Sequence, residues 1–248
     1  MDIREYLDAT YLKTEAQAGL SEIQNTNVVR NLVNEAIQQK YKLVMVRPDM
    51  VRMAVQMVSE AHSGVQVGTV IDFPEGDGGI DAKLAEAREA INNGADDLDF
   101  VVDYKAFKKG DRQTVAHEVL KCTQLCLENG KTAKWIIETA ALTDSEIAGL
   151  SQLIKDTIVA HFSAEDYNRV FVKSSTGFYK TEDNKPNGAT KEGIKIMIQN
   201  ASPLPVKAAG GVRDYEEAIA MINLGVKRIG TSSAKVIVEG GYLENEGY

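Results

Sequence analysis

Val170-Phe171-Val172-Lys173-Ser174-Ser175-Thr176-Gly177 carries three apolar residues straight into a lysine, then small hydroxyl residues, then a glycine. An apolar run of this kind, bounded by a turn signal, is the mark of a buried strand. Lysine is almost never fully buried without a partner or a task. One such task is nucleophilic chemistry, because a desolvated amine, or one set beside another cation, loses its proton readily and can attack a carbonyl. The alternative is a strand-end lysine with its ammonium in water, the common situation for lysines. The segments on either side choose between the two.

Working outward, strand-like and helix-like segments alternate along the whole chain. Strands are expected at 6–12, 43–46, 65–71, 97–102, 133–138, 170–173, 206–209 and 228–230, and helices at 25–40, 49–61, 81–93, 112–128, 144–162, 190–198, 215–223 and 233–238. Thr190 is placed to cap its helix, and Gly94 and Gly130 stand just past the ends of theirs, where helices stop. Strand–helix alternation implies a parallel sheet. Eight such units in 248 residues fit an α/β fold of one specific kind, a single closed (β/α)8 TIM barrel spanning 1–248, with a polar tail expected at 240–248.

Composition limits the function classes. The chain is 44% hydrophobic and 26% charged with a net charge of -8, an ordinary globular profile whose acidity argues against nucleic acid or an anionic membrane as partner. No leader-like apolar region opens the sequence and no run of about 18 apolar residues occurs, so a cytoplasmic protein is expected. Cys122 and Cys126 lie four apart on one helical segment and suggest neither a disulfide framework nor a metal pattern. His62, His117 and His161 fall on helices or their ends and form no metal set. No metal and no cofactor are expected.

Strand parity then points the charged residues. Side chains alternate between faces, so in the fourth strand Leu98, Phe100 and Val102 face the helices while Asp97, Asp99, Val101 and Asp103 face inward. By the same rule Lys134, Ile136 and Glu138 point inward from strand five, Phe171, Lys173 and Ser175 from strand six, and Lys207 from strand seven. Charges from four strands converge at the C-terminal rim, where barrel active sites are built. Two inward lysines on adjacent strands, roughly 5 Å apart, repel, and one amine must give up its proton more easily. A neutral amine is what Schiff-base formation requires, and Asp99 across the barrel could relay protons. Gly210-Gly211 after strand seven and Gly230-Thr231-Ser232-Ser233 after strand eight form the pair of loops that barrels use to hold phosphate.

Taken together, Lys173-Ser174-Ser175-Thr176-Gly177-Phe178, Lys207-Ala208-Ala209-Gly210-Gly211-Val212-Arg213, Gly94-Ala95-Asp96-Asp97-Leu98-Asp99 and Asp8-Ala9-Thr10-Tyr11-Leu12 closely resemble the deoxyribose-phosphate aldolase family, in the right order and over nearly the whole chain. The resemblance implies Lys173 as the Schiff-base lysine, Lys207 as the neighbour that eases its deprotonation, and Asp99 as proton donor and acceptor. It implies Gly177, Gly210, Gly211, Gly230, Ser232 and Ser233 around the 5-phosphate, with Asp8 and Thr10 also on the substrate and Lys134 and Tyr248 as further candidates. The partners implied are a phosphorylated sugar and aldehydes, and a homodimer.

Three features depart from the family pattern. Ser174 stands where threonine is usual, the 179–188 loop exceeds the usual short link, and Met45 lies near a position often held by cysteine. Without that thiol the protein is expected to resist inactivation by reactive aldehydes. Other readings of the same residues are a barrel aldolase with a different donor, a phosphosugar isomerase or epimerase, and a non-catalytic sugar-phosphate binder.

Overall fold

The computed structural model describes residues 1–182 and 187–240. Eight parallel strands close in sequence order: β1 (Leu7–Thr10), β2 (Leu43–Val46), β3 (Gln66–Ile71), β4 (Asp97–Val101), β5 (Thr132–Ile136), β6 (Val170–Lys173), β7 (Val206–Ala209) and β8 (Arg228–Thr231), with β8 pairing back onto β1. Around them run α1 (Glu22–Gln39), α2 (Val51–Glu60), α3 (Ile80–Asn92), α4 (Arg112–Glu128), α5 (Asp144–His161), α6 (Lys191–Ala201), α7 (Tyr215–Leu224) and α8 (Ala234–Glu239). This is the expected TIM barrel. The tail expected at 240–248, beyond Gly240, and with it Tyr248, lies outside the described residues, as does the middle of the 179–188 loop.

Strands covered on both faces read as apolar runs rather than alternations, and β2, Leu43-Val44-Met45-Val46, is fully buried. The apolar layer between strands and helices is the main core. In it Trp135 leaves β5 outward, stacks on Phe100 at 4.9 Å between ring centroids, and donates its indole N–H to Thr123 on α4. Both thiols of α4 are buried and unpaired. Thr190 caps α6 by accepting from the Gly193 N–H.

Inside the barrel the filling is divided. Leu12, Leu43, Met45 and Val70 form a small apolar cluster on the β1–β3 side, with Phe73 and Phe178 leaning on it edge to face, 5.1 Å between ring centroids. Gly68 on β3 makes room for it, since a Cβ there would sit 2.7 Å from the Met45 methyl. The other side of the interior is charged.

Boundaries moved where local chemistry overrode periodicity. The helix expected from 25 begins at Glu22, because Ser21 and Gln24 form a capping box. Strand four stops at Val101, and Asp103 does not join the inward set. Its carboxylate instead accepts from the Ala106 N–H and caps a short helix, Tyr104–Lys108.

Candidate active site

Four strands deliver the centre of the site. Residue pairs Lys173↔Lys207 and Asp99↔Lys134 lie side by side in the β6–β7 and β4–β5 ladders. Asp99 Oδ2 accepts from both Lys173 Nζ and Lys207 Nζ, each at 2.8 Å, and Asp99 Oδ1 accepts from Lys134 Nζ at 2.8 Å. Asp99, Lys134 and Lys207 are completely buried, while Lys173 keeps 3% of its surface. The stretch that ends in Lys173 is therefore a buried strand whose lysine is not solvated.

Electrostatics distinguish these amines. Burial pushes the Lys173 ammonium down most, Lys207 and Lys134 add to the effect, and Asp99 opposes it, leaving the amine at about 8. Lys134 goes the other way: burial disfavours its charge, but Asp97, Asp99 and Asp8 outweigh burial and hold its proton more firmly. Burial also pushes Asp99 up, and its three lysines overcome that and hold it well below the ordinary carboxylate range.

The ion network continues past Asp99 and its three lysines. Lys207 Nζ reaches Asp8 Oδ2 at 2.6 Å, Lys134 Nζ reaches Asp97 Oδ2 at 2.7 Å, and Arg228 lies against Asp8 at 2.5 Å and Asp97 at 3.3 Å. Asp8, expected on the substrate, is fully buried; burial, the largest influence, pushes its carboxyl up, and Arg228 and Lys207 outweigh it and hold it at about 2. Half-buried Thr10 donates its hydroxyl to the Asp8 carbonyl. Arg228 was not singled out, although an arginine opening the short apolar strand Arg228-Ile229-Gly230 shares the inward parity of Lys207, its ladder neighbour.

Glu138, expected inward, follows β5 in a left-handed conformation (φ 54°) and is buried. Its carboxylate accepts from the Ser175 hydroxyl at 2.8 Å, from the Thr176 N–H at 3.1 Å and from the Thr176 hydroxyl. Ser174 bridges β6 and β7 by donating to the Ala209 carbonyl and accepting the Ala209 N–H. The turn after Lys173 is thus fixed on two sides.

Gly210, Gly211, Gly230, Ser232 and Ser233 come together, with Thr231 and Arg213, around a shallow cradle of about 20 Å³ at the ends of β7 and β8. Gly210 and Gly211 are both left-handed (φ 81° and 82°), a conformation natural to glycine. The Ser233 N–H is taken by the Thr231 hydroxyl, and the Gly177 N–H by the Ser175 hydroxyl. Gly177 is not in the cradle lining but packs near Gly210. The 179–188 loop returns against the cradle: Ala189 donates to the Gly210 carbonyl, and Gly188 packs backbone to backbone on Gly210. A far larger cavity, about 750 Å³, opens at the opposite end of the barrel between Glu5, Lys40, Tyr41, His62 and Val65, away from the lysines.

Residues 8–235 match the family model described as DeoC/LacD family aldolase. The chain belongs to this aldolase family. A deoxyribose-phosphate aldolase of Thermococcus gammatolerans is 39% identical, with 97% of this chain and 96% of that protein covered, and one of Brevibacillus brevis is 36% identical with both chains fully covered. The solved aldolase QR15 superposes with a TM-score of 0.79 at 32% identity, covering 96% of this chain and 95% of that one. A tetrameric deoxyribose phosphate aldolase of Aeropyrum pernix gives 0.76 at 27% identity, covering 96% of this chain and 89% of its own. An N-acetylmannosamine-6-phosphate 2-epimerase of Clostridium perfringens, 12% identical with a TM-score of 0.59 over 94% of this chain and 89% of its own, shares the fold alone.

Proposed function

We propose that the protein cleaves 2-deoxy-D-ribose 5-phosphate reversibly to D-glyceraldehyde 3-phosphate and acetaldehyde through a Schiff base on Lys173. The observation that carries this reading is one carboxylate oxygen, Asp99 Oδ2, shared at 2.8 Å by the ammonium groups of two adjacent strands. Neutral Lys173 attacks the aldehyde carbon, the carbinolamine loses water, and a protonated imine results. The imine withdraws electrons as the bond between C2 and C3 breaks and the C3 hydroxyl gives up its proton. Glyceraldehyde 3-phosphate leaves. The remaining enamine takes a proton at carbon, and water then releases acetaldehyde and regenerates the amine. Asp99, touching both lysines, is suited to pass protons between Lys207 and the reacting centre. Lys134 holds the second Asp99 oxygen. The Gly210, Gly211, Gly230, Ser232 and Ser233 cradle is the candidate phosphate seat, with Gly177 beside it. The apolar set of Val70, Phe73 and Phe178 is suited to the uncharged aldehyde end.

The test is turnover. Purified protein given 2-deoxy-D-ribose 5-phosphate, with product glyceraldehyde 3-phosphate coupled to nicotinamide reduction and acetaldehyde measured separately, should yield the two in equal amounts. Neither product, at any pH from 6 to 9, would overturn the proposal; one aldehyde other than acetaldehyde would assign a different donor. A cytoplasmic homo-oligomer belongs to the same proposal, and among the described residues no helix is long and apolar enough to cross a membrane. Light scattering of the purified protein tests the assembly, and a monomer would remove that part.

A further inference from the structure

Among the described residues, the ion-paired set inside the barrel contains four cations, Lys134, Lys173, Lys207 and Arg228, and three carboxylates, Asp8, Asp97 and Asp99. One cation is in surplus. Arg228 cannot shed its proton in a protein. Lys134 lies within ion-pair distance of all three carboxylates and Lys207 of two, whereas Lys173 meets, among the described residues, Asp99 alone. The surplus proton therefore leaves from Lys173, the member with the fewest carboxylate partners and the one at the mouth. Glu138, also titratable and close by, makes no ion pair with this set among the described residues; its carboxyl accepts from Ser175 and Thr176, and burial pushes it up, against its charged form. Resting on Lys173 as the nucleophile, we propose that Arg228 and Asp97, at the end of this network away from the substrate, are positioning residues that fix how readily Lys173 gives up its proton.

The two act in opposite senses. Arg228 is a permanent charge opening β8, and its pairing with Asp8 and Asp97 uses carboxylate that the lysines would otherwise share. Removing it leaves three lysines for three carboxylates, and Lys173 then retains its proton. Removing the Asp97 charge increases the surplus, and Lys173 sheds its proton more easily. All these groups are buried, so solvent and salt screen them weakly. The groups facing Lys173 from the packed elements are Asp99 from β4, Lys134 from β5, Glu138 beyond β5 and Lys207 from β7; Asp8 of β1 and Arg228 of β8 act through them.

The experiment measures the rate of adduct formation at Lys173, trapped with borohydride in the presence of 2-deoxy-D-ribose 5-phosphate, across pH in four proteins of confirmed fold. Arg228→Met should move the rising limb to higher pH by ~1 unit or more, the scale set by one nearby buried charge. Arg228→Lys should leave it near the wild-type position. Asp97→Asn should move it to lower pH, and carries the test on its own if Arg228→Met does not fold. A limb that stays put in the folded variants, or moves the same way in both, overturns the inference. Absence of any Lys173 adduct in the wild type would instead count against the nucleophile assignment.

Discussion

As the proposed nucleophile, Lys173 must be uncharged to attack, and burial with two neighbouring ammonium groups holds it near 8 rather than at its ordinary 10.5. The sign follows directly. Below 8 the amine is protonated and idle, so kcat/KM should rise with pH through about 8 and level above it, and a profile flat from 6 to 9 would contradict this. Lys173→Met should lower kcat by at least ~10³-fold, as loss of a covalent nucleophile does. A second residue-scale expectation concerns Met45. The thiols that do exist, Cys122 and Cys126, are buried on α4, where burial pushes Cys122 up to about 12 and Cys126 higher still. Thiolate is the reactive form, so neither offers a nucleophile to free aldehydes. Met45→Cys should shorten the half-life of activity in acetaldehyde relative to the wild type; equal half-lives would show that the missing thiol is irrelevant.

At the scale of elements, strand parity was legible because a parallel barrel forces strict alternation, and Lys134, Lys173, Lys207, Asp97 and Asp99 all went where it sent them. Parity failed at Asp103, where a helix cap took over from the strand. The short helices Glu15–Ala18 and Tyr104–Lys108 were missed because a single turn carries no periodic signal. Lys83 was also invisible as a core residue. Completely buried on α3, it meets Glu118 of α4 at 2.6 Å and donates to the Gly76 carbonyl. Lys83→Ala strands a buried carboxylate and should cost about 3–5 kcal/mol in urea unfolding; a loss under ~1 kcal/mol, the surface-pair scale, would show the pair to be solvated. Gly188→Ala tests the loop beside the cradle. Its Cβ would strike the Gly210 backbone, so KM for the phosphorylated sugar should rise more than kcat falls. An unchanged KM would separate this loop from phosphate binding.

For the whole molecule, the barrel closes through β1 and β8, and Arg228 to Asp8 is the ion pair across that closure. Asp8 is depressed from 3.8 to about 2 in the folded protein. A carboxylate lowered on folding contributes stability that is complete above its unfolded value and lost as pH falls through its folded one. Stability should therefore decline between about pH 4 and 2, and Asp8→Asn, weaker at neutral pH, should decline less steeply there. Sequence could order the strands and point their lysines. It could not reveal that the charged residues of β1, β4, β5, β6, β7 and β8 join into one ion network beside an apolar cluster, since that depends on which of them meet across the barrel. The most direct test of the account is borohydride reduction of the working enzyme with 2-deoxy-D-ribose 5-phosphate, followed by peptide mapping. One reduced adduct is expected, on Lys173, absent from Lys173→Met. An active enzyme with no adduct, or with its adduct on Lys207 or Lys134, would contradict it.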